Sequence, residues 1–247
     1  MVLNKWNFWE SHPFTVASAL GNDQYNAELQ EASPLLERNP SFLTELGIGA
    51  KRSAGQMTFL IRPYDGFTSR LTEYAESSRP KPATVRVAID GPYGKTLPLE
   101  CFDKVLFVVG GSGIAVALSY LQKLTLMDWP GTICIHWAVQ QAALAADILG
   151  CEMSCALNSE RVQVNIYVTG LGNGAVSDEV GHRGVKCKAG RMDIEQVVEA
   201  ALDAGEGSSL AVVACGPARM ADDCRRAVVS RMLSPLLRIE YFEESFQ

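Results

Sequence analysis

Apolar and polar residues follow two different patterns along the chain, and the change comes near residue 100. Before it, short runs over residues 13–18, 56–64 and 84–89 are bounded by turn-forming residues, which is typical of β-strands. After it, apolar runs alternate with helical stretches, which predicts an α/β fold with a doubly wound parallel sheet. We therefore predict a β-rich domain over residues 1–100 and an α/β domain over residues 101–247.

The elements of the α/β domain are predicted from this alternation. The strands are residues 105–109, 132–139, 162–169, 210–214 and 237–242, and the helices are residues 113–127, 142–158, 193–204 and 217–232. Residues 170–190 are rich in glycine and small polar residues, so we predict a loop there. In the β-rich domain we predict a long surface insertion over residues 21–54, and a short helix over residues 69–77 with Thr68 as its N-cap.

Composition narrows the class of protein. The chain has 247 residues, a formal net charge of −6 and 47% hydrophobic residues, as expected for a globular protein. A nucleic-acid surface is excluded, because it needs a basic face to neutralise phosphates. The uncharged run over residues 105–121 is interrupted by three glycines, so it predicts a strand, a turn and a helix and not a membrane span.

Seven cysteines occur without a CxxC pair, which is typical of a reducing compartment and not of a disulfide scaffold. Cys151 and Cys155 are four residues apart in the predicted helix over residues 142–158. We therefore expect them on one face of that helix, as packing thiols. The three histidines form no helical pair that could hold a haem, and we expect no bound metal.

A glycine-rich bend follows the first strand of the α/β domain. It consists of Gly110, Gly111, Ser112, Gly113 and Ile114. Free backbone N–H groups and the positive end of a helix dipole meet at such a bend, which makes it a candidate pyrophosphate site. The third glycine of the dinucleotide fingerprint is absent, because Val116 stands in its place. The bend alone therefore also fits a tight turn without a ligand.

A second motif, Cys215-Gly216-Pro217, follows the strand predicted over residues 210–214. Ligands of open α/β sheets bind beyond the carboxyl ends of the strands, so this motif should lie at the same edge as the glycine-rich bend. Gly216 permits close backbone approach, and Pro217 suits the first position of the following helix. An isolated cysteine here would be structural, but two motifs at two strand ends favour a dinucleotide site.

The β-rich domain carries an arginine and a glycine turn suited to an anion. Arg62 ends a predicted strand, and Gly66, Phe67 and Thr68 follow at the start of a helix. A guanidinium group and a helix N-terminus together form an anion clamp. Upstream lies a run with a flat apolar side chain and a hydroxyl that could bond a heterocycle; it consists of His12, Pro13, Phe14 and Thr15.

The motifs in order resemble the FAD- and NAD(P)-binding portion of fungal ferric-chelate reductases and, more distantly, NADPH oxidases. They are HPFT, FLIR, GFT, DGPYG, GGSGI, CGP and ESF, and they cover nearly the whole chain. The resemblance implies a ferredoxin-reductase-like fold, in which an antiparallel FAD-binding β-barrel precedes the NAD(P)-binding α/β domain. Only eleven residues precede the HPFT motif, so we expect a partial barrel.

The resemblance also implies roles for the residues. His12 to Thr15 would meet the isoalloxazine of FAD, and Arg62 with Gly66 to Thr68 would hold its pyrophosphate. Residues 110–114 would bind the dinucleotide phosphates, and Cys215 to Pro217 would flank the nicotinamide. Phe246 would be the terminal aromatic that shields the flavin. Thr15, Cys215 and Phe246 are therefore the residues expected at the reaction itself.

One departure from the family affects the choice of nucleotide. Gln140 stands where the family commonly has an arginine that helps to bind a 2′-phosphate, whereas Arg191 of a second basic element is retained. We therefore expect NADPH, with NADH left open.

The resemblance implies an oxidoreductase that passes a hydride from NADPH to FAD and then single electrons to an acceptor such as a ferric chelate. A haem-bearing membrane domain, absent from this sequence, would be a natural partner. The chain as it stands is expected to be cytoplasmic, or at the cytosolic face of a membrane if it is part of a longer reductase. The alternatives are a soluble diaphorase or flavin reductase, and a non-catalytic remnant that binds nucleotide but not FAD.

Overall fold

The computed structural model describes residues 12–20, 56–79, 81–90, 93, 95–127, 129–170, 184–203, 208–232 and 238–244. Its main element is a parallel sheet of six strands, which are β3 (Lys104–Gly110), β4 (Thr132–Val139), β5 (Val162–Val168), β6 (Val185–Ala189), β7 (Leu210–Cys215) and β8 (Ile239–Glu243). Their order across the sheet is β6-β5-β4-β3-β7-β8. Strand β7 is buried at every position, which explains its uninterrupted apolar sequence.

Helices cover both faces of this sheet. They are α2 (Ile114–Leu126), α3 (Ala142–Gly150), α4 (Ile194–Asp203) and α5 (Ala218–Arg231). Val105 of β3 shares a buried cluster with residues of α2 and α3, whereas its neighbour Leu106 shares another with residues of α4 and α5. Successive strand residues face opposite sides, so the two helix pairs lie on opposite faces. The predicted doubly wound α/β fold is confirmed.

A small antiparallel sheet precedes the large one. Its strands are β1 (Val16–Leu20) and β2 (Gln56–Phe59), and helix α1 (Phe67–Ser77) follows them. Ala17 of β1 is fully buried in the cluster that includes α2, and the Ser18 hydroxyl donates to Glu152 Oε2 at 2.8 Å. Strand β1 therefore rests against the α/β part of the molecule.

Two predictions of strand and loop are wrong. Residues 84–89 form no strand: Val87 is 68% exposed and Ile89 61% exposed, and this apolar run pairs with no strand of the described residues. The predicted loop over residues 170–190 contains β6, in which Lys186 and Lys188 are exposed. Strand β6 is an edge strand, and its polar sequence gave no apolar signal to predict it. Residues 171–183 and the insertion predicted over residues 21–54 lie outside the described residues.

Two predictions about helices are also wrong. The helix predicted over residues 142–158 ends at Gly150, and only a 3₁₀ turn, Ala156–Asn158, follows. Cys151 and Cys155 therefore lie outside a helix and are exposed, so they are not packing thiols. Glycine is a poor helix residue because its backbone is the most flexible, which explains the early end.

Thr68 is not an N-cap, because α1 begins one residue earlier. Its hydroxyl instead accepts a hydrogen bond from the Tyr64 N–H at 2.7 Å. None of the helices in the described parts of the chain combines the length and apolar character needed to cross a membrane.

Candidate functional site

The carboxyl edge of the large sheet brings together the two motifs that the sequence singled out. Strands β3 and β7 are hydrogen-bonded neighbours, and Val109 pairs with Cys215. The glycine-rich bend and the CGP motif therefore start side by side. The chain then turns through a 3₁₀ helix, Gly111–Gly113, directly into α2. Pro217 is the residue before α5 and not its first residue, a shift of one position from the prediction.

Gly113 is required by close packing against the second motif. A Cβ atom there would lie 2.3 Å from the Cys215 carbonyl oxygen, a distance that no side chain can accept. The third glycine of a dinucleotide fingerprint serves such close packing, so Gly113 supplies that function here although residue 116 is valine. Val116 departs from the fingerprint in sequence, and the close contact is made at Gly113 instead.

Gly111 has a different reason to be glycine. Its φ angle is +55°, in the left-handed region, and a Cβ atom there would meet nothing within 4 Å. The bend therefore has open space beside Gly111, whereas at Gly113 it is closely packed against Cys215. Among the described residues, no side chain caps the N-terminus of α2, and the first turn of this helix holds no acidic residue. Uncapped N–H groups beside open space fit a phosphate group.

Cys215 is completely buried at this edge. Burial and the nearby charge of Glu244 raise the pKa of its thiol to about 12, so the side chain is a neutral thiol at physiological pH. The Glu244 N–H donates to the Ala214 carbonyl at 2.9 Å, which holds Glu244 beside the same strand end. Phe246, predicted to shield the flavin, lies outside the described residues.

The ends of β4, β5 and β6 continue the edge away from the glycine-rich bend. Gln140 follows β4, and a Cβ atom at Gly170, after β5, would lie 2.1 Å from its carbonyl oxygen. Arg191 follows β6 and is exposed. Since β5 separates β4 from β6, Arg191 and Gln140 stand two strand spacings apart, roughly 10 Å. The retained arginine therefore sits farther out along the sheet edge than the glutamine.

The residues predicted to hold FAD lie around the start of α1. The His12 ring stacks on the Phe67 ring with centroids 4.5 Å apart and an interplanar angle of 17°. The HPFT and GFT motifs, more than fifty positions apart in sequence, are thus side by side. Gly66, with φ of +79°, precedes α1, and the Arg62 guanidinium lies 5.9 Å from the Tyr64 ring centroid.

The residues predicted to hold FAD are much more exposed than those predicted to bind the nicotinamide dinucleotide. Arg62 is exposed, Phe14 is 37% exposed, and Thr15 is half-buried. An exposed arginine and a helix N-terminus fit a pyrophosphate, and a partly exposed aromatic ring fits a flat heterocycle. These residues therefore suit FAD, although the protein itself covers them little.

A polar group on β4 and β5 was not found from the sequence. His136 Nδ1 and the Tyr167 hydroxyl are 2.9 Å apart, and Asn165 Nδ2 lies 3.4 Å from His136 Nε2. Burial, with the nearby charge of Lys188, lowers the pKa of His136 to about 4, so the ring is neutral. The three side chains lie on the α4–α5 face, within the strands and not at their ends, which indicates a structural role.

The predicted resemblance is confirmed by curated relatives, although no family model matches the chain. "Ferric reductase transmembrane component 3" of Saccharomyces cerevisiae is 26% identical over 274 residues, covering 96% of this chain and 33% of that protein. "Ferric reductase transmembrane component 6" of the same species is 30% identical over 208 residues, covering 75% of this chain and 28% of that protein. The chain thus spans about a third of the length of the curated relatives it matches.

Solved structures are similar at low sequence identity. The CS-b5R domains of human Ncb5or, in the NAD+ form, give a TM-score of 0.49 at 15% identity, covering 78% of this chain and 51% of that chain. Flavohemoglobin from Malassezia yamatoensis, with bound FAD and heme, gives a TM-score of 0.48 at 17% identity, covering 76% of this chain and 44% of that chain.

Proposed function

We propose that this chain is the dehydrogenase part of a ferric-reductase-type flavoprotein, which oxidises NADPH and passes the electrons through FAD to an acceptor. The observation that carries the proposal is the contact between the glycine-rich bend and the CGP motif at adjacent strand ends. The similarity to ferric reductases over 96% of the chain supports it. The two functional units would be residues 1–100 for FAD and residues 101–247 for the nucleotide.

The carboxyl edge of the sheet would bind NADPH. Residues 110–114 would hold its phosphates with backbone N–H groups of the bend other than that of Ile114, which donates to the Gly111 carbonyl. Cys215 to Pro217 would lie against the nicotinamide, with Cys215 acting as a neutral packing group, because its raised pKa excludes a thiolate. The exposed Arg191 would meet the 2′-phosphate, which favours NADPH over NADH.

The residues around α1 would bind FAD. Arg62 and the start of α1, with Gly66, Phe67 and Thr68, would hold the pyrophosphate. The residues from His12 to Thr15 would lie along the isoalloxazine, with the Thr15 hydroxyl near its reactive edge. Phe246 would cover the flavin when nicotinamide is absent. Bound FAD supplies the ability to accept a hydride and to release electrons singly, while the protein supplies position and electrostatics.

The acceptor and the location belong to the same proposal. A ferric chelate is the acceptor class that the curated relatives' names point to. A haem-bearing membrane domain would be the partner if the chain works as part of a longer reductase, which would place it at the cytosolic face of a membrane. As a separate chain it would act on a small-molecule acceptor in the cytoplasm.

A second candidate is a remnant that binds nucleotide but no FAD. The exposed residues predicted to hold FAD favour it, as do residues 84–89, which pair with no strand of the described part of the chain. Both leave the candidate flavin site less enclosed than the candidate nucleotide site. The soluble diaphorase alternative shares the chemistry of the main proposal and differs only in its acceptor.

Flavin retention separates these candidates. The protein is mixed with FAD, passed through a desalting column and examined by absorbance, and NADP+ affinity is measured on the same sample. Retained flavin in one equivalent supports the dehydrogenase. Colourless protein that still binds NADP+ supports the remnant, and protein that binds neither contradicts both. Comparing ferricyanide, a quinone and a ferric chelate as acceptors then separates a ferric reductase from a general diaphorase.

A further inference from the structure

We infer that Trp137 is a positioning residue that holds the glycine-rich bend in its phosphate-binding conformation. Its side chain is completely buried on β4, next to the strand that leads into the bend. The indole Nε1–H donates a hydrogen bond to the Gly111 carbonyl at 2.9 Å. The donor therefore lies on a neighbouring strand, outside the glycine-rich bend and outside the helix that follows the bend. The role rests on the proposed function only for the identity of the ligand.

The bonded carbonyl belongs to the residue with the unusual backbone. Gly111 has φ of +55°, and a Cβ atom added to it would meet nothing within 4 Å among the described residues, so no contact at that position fixes its conformation. Its carbonyl accepts two hydrogen bonds, one from Trp137 and one from the Ile114 N–H. Two donors on one carbonyl fix the plane of the peptide that joins Gly111 to Ser112.

Fixing this plane also directs a donor. The C=O and N–H groups of a trans peptide point in opposite directions. A Gly111 carbonyl held towards Trp137 therefore turns the Ser112 N–H away from the indole, to the opposite side of the bend. A phosphate at this bend would be bound by such N–H groups. Trp137 thus aims a backbone donor and touches neither the ligand nor the reacting atoms itself.

Tryptophan suits this position because it fills the core and also offers a donor. A buried indole N–H requires an acceptor, and the Gly111 carbonyl is one. Phenylalanine would keep an aromatic ring in the core but would lose the donor. The bend would then keep the Ile114 bond alone.

Trp129 provides a matched control within the same sheet. It is also buried, and its Nε1–H donates to the Phe102 carbonyl at 3.1 Å. Trp129 precedes β4 and Phe102 precedes β3, so this bond lies at the amino edge of the sheet, opposite the candidate site. Trp129→Phe therefore removes the same kind of bond without touching the glycine-rich bend.

The test compares the wild-type chain, Trp137→Phe and Trp129→Phe in two measurements. Hydrogen–deuterium exchange over residues 110–114 is measured without any ligand, and NADP+ affinity is measured by calorimetry. We expect faster exchange in this segment for Trp137→Phe alone. We also expect its Kd for NADP+ to rise about five- to tenfold, the effect of one lost hydrogen bond. Trp129→Phe should change the exchange rate and the Kd by less than about twofold. It should lower the melting temperature about as much as Trp137→Phe does.

The two measurements test different claims: hydrogen–deuterium exchange tests the role of Trp137, and NADP+ binding tests the proposed function. Unchanged exchange over residues 110–114 in Trp137→Phe, or an equal increase in both variants, would overturn the positioning role whatever ligand binds. Wild-type protein that binds no NADP+ would count against the proposed function, and the exchange result would still decide on Trp137. If Trp137→Phe does not fold, 3-benzothienylalanine at position 137 keeps the ring shape and removes only the N–H donor.

Discussion

The carboxyl edge of the large sheet and the surroundings of α1 hold their candidate ligand-binding residues in different ways. At the sheet edge, Cys215 is fully buried and Gly113 is packed so closely that no Cβ atom fits. Around α1, no residue of the helix is buried and Tyr64 is 71% exposed. The core of the α/β domain thus builds the candidate nucleotide site, whereas exposed side chains form the candidate flavin site.

This difference in burial affects how much conformational entropy each candidate site loses when its ligand binds. A site already fixed by core packing loses little conformational freedom when its ligand arrives, whereas exposed side chains must be ordered at that moment. Changes to the nucleotide edge should therefore lower the stability of the protein itself. Changes around α1 should mainly weaken FAD binding and leave the folded protein intact.

The sharpest test of the comparison uses one glycine from each region. Gly113→Ala keeps an allowed backbone, with φ of −59°, but forces its Cβ against the Cys215 carbonyl. We expect a loss of about 3 kcal/mol or more in the free energy of unfolding, because backbone atoms cannot move aside as a side chain can. Gly66→Ala meets no atom within 4 Å and is strained only by its backbone, with φ of +79° and ψ of −123°, so we expect a smaller loss of about 1–3 kcal/mol. Equal losses in chemical denaturation would contradict the comparison.

The flavin region is tested by Arg62→Ala. We expect FAD affinity to fall about 10- to 100-fold, the effect of losing a charge-assisted contact, while thermal stability without FAD stays unchanged. Arg79→Ala is the control, because Arg79 is also exposed but lies beyond the other end of α1. FAD titrations followed by flavin fluorescence measure both variants. Normal FAD binding by Arg62→Ala would refute the assignment of this residue.

His136 gives the α/β domain a pH-dependent stability. Its pKa is lowered to about 4 in the folded protein, whereas the unfolded chain protonates near pH 6.5. The unfolded state therefore binds more protons between these values, and stability falls as the pH drops through this window. We expect about 1–2 kcal/mol of loss between pH 7 and pH 4.5, after allowing for partial solvent exposure.

Urea denaturation at several pH values measures this loss. His136→Gln keeps a polar side chain without the titrating ring, so its stability should depend less on pH across the same window. A variant with the same pH dependence as the wild-type protein would show that other groups are responsible.

Cys215→Ser should have the smallest effect. FAD should remain bound, and its reduction by NADPH should slow about fivefold, which corresponds to about 1 kcal/mol of barrier. Cys224→Ser is the control: Cys224 is also fully buried, and burial likewise raises the pKa of its thiol to about 12. It lies in α5 on the other side of the sheet, so its replacement should leave flavin reduction unchanged. Loss of flavin from Cys215→Ser would mean that Cys215 is placed wrongly.

The sequence predicted the sheet well where strands are buried on both faces. The boundaries of β4 match the prediction, and β3, β5 and β7 differ from it by one residue at one or both ends. Continuous apolar runs give a clear signal there. Strand β6 was missed because an edge strand presents lysines to solvent, and residues 84–89 were wrongly assigned because an apolar pattern does not reveal whether a partner strand exists.

One part of the candidate site could be predicted from a general rule about parallel sheets. The rule that parallel strands end at one edge places the glycine-rich bend beside the CGP motif. The contact of Trp137 with Gly111 and the group around His136 were not predictable in this way. Both depend on which residues face each other across neighbouring strands, and that register is set by the whole sheet.

The most direct test of the proposed dehydrogenase is anaerobic rapid mixing of the FAD-loaded chain with NADPH, followed at the flavin absorbance near 450 nm. The proposal predicts bleaching of the bound flavin at a rate that saturates with NADPH, and slower bleaching with NADPH deuterated at the transferred position. Bound flavin that stays oxidised with both NADPH and NADH would contradict it, because the two half-sites would then not work together.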